Sequence, residues 1–260
     1  MIGKVMGFVV GFLLGRNIMS AFIGAIIGHF LVDRQRDASA GVSRERLQSI
    51  QATFFNSVFL LLGHLAKADG RVSETEIKLT EHLMAKMGLT ADHRREAIRL
   101  FKVGTSADFN PESTLSEFKR ECGSSPNLSQ MLLVYLINLA LADGVVNSQE
   151  TQVLRQVADA LGFSRLAFEQ LLRMINAQNA FGHEQQQRSS DNDIDLAYQA
   201  LGVDKTISDA ELKKAYRKLM SEYHPDKLIG QGMPDDMIKA ATERSQEIQA
   251  AYDLIKKSRR

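Results

Sequence analysis

The chain opens with an apolar run that suits lipid better than water. From Val5 to Val32 nearly every residue is apolar, Gly, Ser or Ala. As a helix this run would be about 42 Å long, enough to cross a hydrocarbon core about 30 Å thick with some tilt. A secretory signal has a shorter apolar stretch, about 7–15 residues, and a small-residue cleavage site. The pattern therefore predicts one transmembrane helix over residues 7–31, preceded by a short N-terminus, residues 1–6. Arg16 and Asn17 interrupt the run. If they formed a turn, the two halves would be helices of about 18 and 22 Å, each too short to span. A single helix is expected instead. It carries one intramembrane Arg, which costs about 2.5–3.5 kcal/mol on insertion scales.

Orientation follows the basic residues. Only Lys4 precedes the span, whereas Arg34, Arg36, Arg44 and Arg46 follow it in a basic juxtamembrane segment, residues 32–49. The positive-inside rule puts the bulk of the chain on the cytoplasmic side. Cys122 is the single cysteine, so no disulfide can form within the chain, as befits a reducing compartment.

Small residues repeat along the span at every fourth position. Gly7, Gly11 and Gly15 form one run, Ser20, Gly24 and Gly28 a second, and the register slips between them. Such spacing clears a helix face so that two backbones can approach closely. A homodimer through this transmembrane helix is the expectation.

The middle of the chain, residues 50–177, has apolar residues at helical spacing and few alternating β-branched runs. It also repeats itself at an offset of 74: Leu65-Ala66-Lys67-Ala68-Asp69-Gly70-Arg71-Val72 matches Leu139-Ala140-Leu141-Ala142-Asp143-Gly144-Val145-Val146. Each unit reads as an apolar helix, an Asp-Gly turn, a second helix and a glycine stop at Gly88 or Gly162. Ser73 with Glu76, and Asn147 with Glu150, have the spacing of helix caps. A calcium loop would place Glu76 at its twelfth position. However, its first and third positions would then be Leu65 and Lys67, or Leu139 and Leu141, which offer no side-chain oxygen. The turn-and-cap reading is preferred, and no metal or cofactor is expected. His64, His82 and His93 lack the pairing of a helical zinc site, and Cys122 lacks a nucleophile signature. Asp108–Pro111 and Gly123–Pro126 mark loops. The repeat resembles the TerB-like domain, a helical interaction module, and that resemblance implies a docking role, with a membrane signalling protein as one partner.

Residues 178–192 contain Gln185-Gln186-Gln187 and Ser189-Ser190 with few apolar residues, the composition of a flexible linker. Beyond it, Leu196–Leu201 is a short periodic stretch stopped by Gly202. Ser208 then caps a stronger helix from Asp209 to Tyr223. Leu212, Ala215, Tyr216, Leu219 and Tyr223 share one face of that helix, and Lys213, Lys214, Arg217 and Lys218 lie on another. Pro225 disfavours helical geometry at His224, so His224-Pro225-Asp226 forms a tight exposed corner. A last helix is expected from about Asp235 to Ile255, with Ile248, Ala251, Tyr252 and Ile255 as its apolar seam.

The blocks Tyr198–Val203, Ala215–Leu219, Tyr223–Lys227 and Ile248–Tyr252 together resemble a J-domain, over residues 193–260. With the anchor and the TerB-like middle, the whole chain resembles the DjlA family of membrane-anchored DnaJ-like co-chaperones. The resemblance implies an all-α protein: a single N-terminal transmembrane helix, a tandem-repeat helical TerB-like domain and a C-terminal J-domain helical hairpin. It also implies a place in the cell inner membrane, with a periplasmic N-terminus. A DnaK-type ATPase chaperone would be the partner, contacted through His224, Pro225, Asp226, Lys213, Lys214, Arg217 and Lys218. Such a protein is not an enzyme. A hydrolytic His224–Asp226 pair is disfavoured because no Ser or Cys nucleophile motif accompanies it. Nucleic-acid binding is disfavoured because basic and acidic residues nearly cancel over 194–260 and Tyr216, the aromatic among the basic residues, falls on the apolar stripe. The net charge of +1 over the whole chain agrees. The Gly/Phe-rich segment and CxxCxGxG repeats of many J-proteins are not found in this sequence. Two rival readings are a membrane adapter or sensor whose TerB-like domain binds a signalling partner or a metal, and a translocation-motor J-protein.

Replacing Gly7, Gly11, Gly24 and Gly28 by Leu is expected to weaken self-association while leaving insertion intact. A membrane two-hybrid assay reads the outcome, and unchanged dimerisation would remove the glycine face from the interface.

Overall fold

A computed structural model describes residues 34–68, 70, 74–141, 146–183 and 190–259. The expected span, its glycine face, Arg16, Asp69, Ser73 and the Asp143-Gly144 turn lie outside the described residues. The chain divides into two units, residues 1–49 and 50–260. All described residues with regular structure are helical, with no strand among them. The elements are α1 (Arg34–Ala66), α2 (Glu74–Met87), α3 (Ala91–Gly104), α4 (Pro111–Cys122), α5 (Pro126–Ala140), α6 (Ser148–Ala160), α7 (Arg165–His183), α8 (Ser190–Ala200), α9 (Asp209–Glu222), α10 (Pro225–Gln231), a 3₁₀ turn (Asp235–Met237) and α11 (Ile238–Ser258).

The second unit is organised around α5. The middle of this helix, Met131–Ile137, is apolar on every side and wholly buried, as are Leu128, Leu139 and Ala140. A helix that is apolar all round must be enclosed all round. One side of α5 meets the middle domain, where Phe54 packs against Phe118 and Tyr135 with ring centroids 6.2 and 6.3 Å apart. The other side meets the C-terminal helices.

Residues Arg44–Ala66 of α1 are long and apolar enough to cross a membrane, yet 61% of their most apolar stretch is buried within the protein. Phe54, Val58, Phe59, Leu61, Leu62 and Leu65 point into the core. This segment is a core helix and is distinct from the span expected over residues 7–31. It crosses α3 at a pair of glycines. A Cβ on Gly63 would lie 2.1 Å from the Phe101 carbonyl oxygen, and one on Gly104 would lie 2.0 Å from that of Leu60.

Several local expectations appear in the helix ends. Asn147 and Glu150 form a reciprocal capping box at the start of α6. Gly88 and Gly162 take positive φ angles of 81° and 86°, which end α2 and α6. Pro111 and Pro126 each occupy the first turn of a helix, so both loops end where a missing N–H does no harm.

The linker expected over residues 178–192 is a different matter. α7 continues to His183 and α8 starts at Ser190, leaving only residues 184–189 outside the description. The residues that suggested a tether, Gln185–Gln187 and Ser189, lie in that stretch, whereas Gln178 and Asn179, placed at the start of the expected linker, serve an interface. Gln178 is buried and its Nε2 donates to the Ala200 carbonyl at 2.8 Å. Ala177, Ala197 and Ala200 are also buried, small enough to let α7 and α8 lie close. The C-terminal domain is thus packed on the middle domain.

Polar groups seal that packing. The Tyr135 hydroxyl donates to the Met237 carbonyl at 2.7 Å, and burial pushes its pKa far above the usual phenol range. Arg244 is buried between α5, α7 and α11. Its guanidinium donates to Glu247 Oε2 at 2.7 Å, Asn138 Oδ1 at 2.8 Å and Asn179 Oδ1 at 2.9 Å. A buried cation is tolerable only when so satisfied.

Gly104→Ala is expected to destabilise the protein by about 1–3 kcal/mol through overpacking, although Ala in an uncrowded helix stabilises by about 0.5–1 kcal/mol. Urea unfolding of residues 50–260 gives the sign, and a stabilised variant would disprove the close crossing.

Candidate functional site

The site is built on α9. Ser208 and Glu211 form a capping box at its start, and the Ser208 hydroxyl, the Ser208 backbone and Lys214 hold the Glu211 carboxyl below its ordinary pKa. Leu212, Leu219 and Tyr223 are buried along the inner face, with Ala215 and Tyr216 half-buried. Tyr216 stacks on Tyr252 of α11 with centroids 4.2 Å apart and planes at 18°, and its hydroxyl bonds Gln249. The seam between the two long helices is therefore the one expected. On the outer face Lys213, Lys214, Arg217 and Lys218 are all exposed. Lys218 reaches Glu222 at 3.8 Å, one turn along.

Tyr223 ends the helix, and its N–H still donates to the Leu219 carbonyl at 3.0 Å. His224 is extended, with φ −65° and ψ 123°. Pro225 then opens a new helix, where expectation had only a tight corner before the last helix. The reason is the other property of proline: its fixed φ suits the first helical position, where no N–H is required. Seven residues later Gly232 ends α10 at φ 101°. The side chains of His224 and Asp226 are exposed, and among the described residues neither forms a hydrogen bond or ion pair. Lys227 turns back to donate to Ser221 Oγ at 2.9 Å. The corner thus presents an imidazole and a carboxylate to solvent beside a four-cation helix face.

Residues that carry no motif stand behind the corner. The Tyr223 carbonyl accepts from Ser245 Oγ at 2.9 Å, and its hydroxyl accepts from Gln130 Nε2 at 3.0 Å. That same Nε2 lies 3.2 Å from Glu222 Oε2. At the far end of α10, Ser125 Oγ donates to Gln231 Oε1 at 2.9 Å. His93 Nδ1 lies 2.5 Å from Asp236 Oδ2, a carboxylate held below its ordinary pKa, despite partial burial, by His93 and the Thr90 backbone. Arg259 gathers the domain's end, donating to the Tyr198 hydroxyl at 2.8 Å and to Asp209 at 2.6 Å.

Other places offer less chemistry. Burial pushes the Cys122 thiol up to about 12, so it is not a nucleophile at neutral pH. Among the described residues no group of three or more His, Cys, Asp or Glu could hold a metal ion. An open depression of about 440 Å³ is lined mainly by His64, Phe109, Gln149, Gln152, Val153 and Gln156, and burial lowers the His64 pKa there.

Comparison with known proteins agrees with this architecture. Three family profiles match in order: the co-chaperone DjlA transmembrane domain over residues 1–43, tellurite resistance protein TerB over 56–173, and the DnaJ domain over 196–260. No solved structure matches. Among curated relatives, the co-chaperone protein DjlA of Coxiella burnetii is 39% identical over 268 residues, covering 99% of this chain and 98% of its own. The DjlA protein of Pasteurella multocida is 38% identical over 283 residues and that of Yersinia pestis 36% over 271, with the same coverage. At that identity along nearly the whole of both chains, the protein belongs to the DjlA co-chaperone family.

Proposed function

We propose that this protein is a regulatory co-chaperone that recruits a DnaK-type chaperone and stimulates its ATP hydrolysis through His224-Pro225-Asp226. The observation that carries this reading is the exposure of the corner directly beside the exposed Lys213, Lys214, Arg217 and Lys218 face. Proline fixes the approach to the corner, so little entropy is lost when a partner engages it. The cationic face steers an acidic partner surface toward it. No bond is made or broken by this chain, and the chemistry belongs to the partner ATPase.

In this reading the N-terminal helix anchors the protein once in the inner membrane, with the N-terminus periplasmic and the two folded domains cytoplasmic. Two copies associate through Gly7, Gly11, Gly15, Ser20, Gly24 and Gly28. The TerB domain supplies the surface for a second, membrane-associated partner.

His224→Gln keeps a polar side chain at an exposed site, where substitutions usually change stability by no more than about 0.5 kcal/mol. The variant is expected to keep its thermal melt and to lose stimulation of DnaK-type ATPase in single-turnover assays. Stimulation equal to the parent's would overturn the proposed mechanism.

Charge reversal at Lys214 and Arg217 is expected to raise the concentration needed for half-maximal stimulation. The parent's affinity should fall as salt rises, since screening acts over about 10 Å at 0.1 M, and the reversed variant should be less salt-sensitive. Equal salt dependence in both would remove the basic face from the contact.

A further inference from the structure

We infer that the middle domain sets the conformation of the His-Pro-Asp corner, with Gln130 of α5 as the positioning residue. This deepens the co-chaperone reading and rests on it for its functional arm. The argument begins with α10, which starts at the corner and is seven residues long. Isolated helices shorter than about 12–15 residues are marginal in water, so what α10 packs against decides its geometry. Leu228 and Met233 anchor it in the core.

Beside the Ser245 bond to the Tyr223 carbonyl and the His93 and Thr90 contacts to Asp236, a set of polar supports comes from α5 and its N-cap. Ser125 caps α5, and Gln130 and Tyr135 lie within it. Gln130 reaches Glu222 and Tyr223 just before the corner, Ser125 reaches Gln231 at the end of α10, and Tyr135 reaches the Met237 carbonyl beyond it. One helix and its cap therefore hold the stretch from Glu222 to Met237 at its start, middle and end. None of these contacts involves His224 or Asp226, both of which remain exposed.

Gln130 has the most direct leverage. Tyr223 is fully buried, and its N–H, carbonyl and hydroxyl bond Leu219, Ser245 and Gln130 respectively. Removing Gln130 leaves the hydroxyl buried without its donor, which costs more than a bond lost to water. The open relaxation is a shift of Tyr223, and the next peptide unit carries that shift into His224.

The test uses the full chain in nanodiscs, with Gln130→Ala and, at the other end of α10, Ser125→Ala. In Gln130→Ala, amide hydrogen exchange over Lys227–Gln231 should quicken roughly three- to tenfold, the factor that one lost hydrogen bond represents. Exchange at the start of α9 should stay as in the parent. Ser125→Ala should act more weakly, with its effect centred on Gln231–Met233. Maximal stimulation of a DnaK-type ATPase should fall several-fold in Gln130→Ala with an unchanged half-maximal concentration, because the basic face is untouched. General loss of fold would shift both quantities together. Parent-like exchange in both variants would overturn the inference, as would parent-like maximal stimulation by Gln130→Ala. If the parent itself fails to stimulate, the co-chaperone reading falls, and the exchange measurement still decides whether α5 positions the corner.

Discussion

The second unit depends on the enclosure of α5. A helix with one apolar stripe completes one domain, whereas a helix apolar on all sides has to be shared. α5 gives Tyr135 and its neighbours to a cluster with Phe54 and Phe118, and gives the Tyr135 hydroxyl, Gln130 and Asn138 to the C-terminal helices. The two sides differ in kind. Toward the middle domain the contact is apolar and close-packed, as the Gly63–Gly104 crossing beside it also is. Toward the J-domain the apolar surface is studded with hydrogen bonds that admit one register. Apolar burial supplies most of the attraction and the polar groups supply the alignment.

That arrangement bears on how a partner is met. The docked side of the J-domain is occupied, and the side left open is the outer face of α9 with the corner at its end. In the proposed reading, a partner engaging the corner would approach along a surface that carries Lys213, Lys214, Arg217 and Lys218. Among the described residues, Lys218 is the one of the four cations with a carboxylate, that of Glu222, within 4 Å. Glu222 is itself tied to Gln130. The electrostatic surface and the docking interface therefore meet at a single residue, one position before the fully buried Tyr223.

Much of this was legible in the residues. The α9 stripe, its Ser208 cap, the Asn147 capping box and the glycine stops all follow from local chemistry, because each depends on neighbours within a few positions. The motif that carries the site, His224-Pro225-Asp226, is likewise local. The docking was not legible from composition. Gln178, Asn179 and Asn138 look like solvated residues until the helix that pairs with them is known, and polarity alone does not distinguish a surface amide from one at an interface. A usable signal was present in α5, whose uninterrupted Met131–Ile137 run exceeds what one buried stripe requires. α10 was missed because Pro225 was weighed only as a helix breaker, although the same ring favours the first turn of a new helix.

The buried Arg244 has a consequence for how freely the domains of this chain can be exchanged. A foreign J-domain lacking an arginine at this place would leave the half-buried Asn138 and Asn179 side-chain oxygens without that donor. Moving this domain elsewhere would strip its guanidinium of both amide partners and leave Glu247 alone beside it. One family match ends at residue 173 and the next begins at 196, yet hydrogen bonds join the helices on either side of that gap.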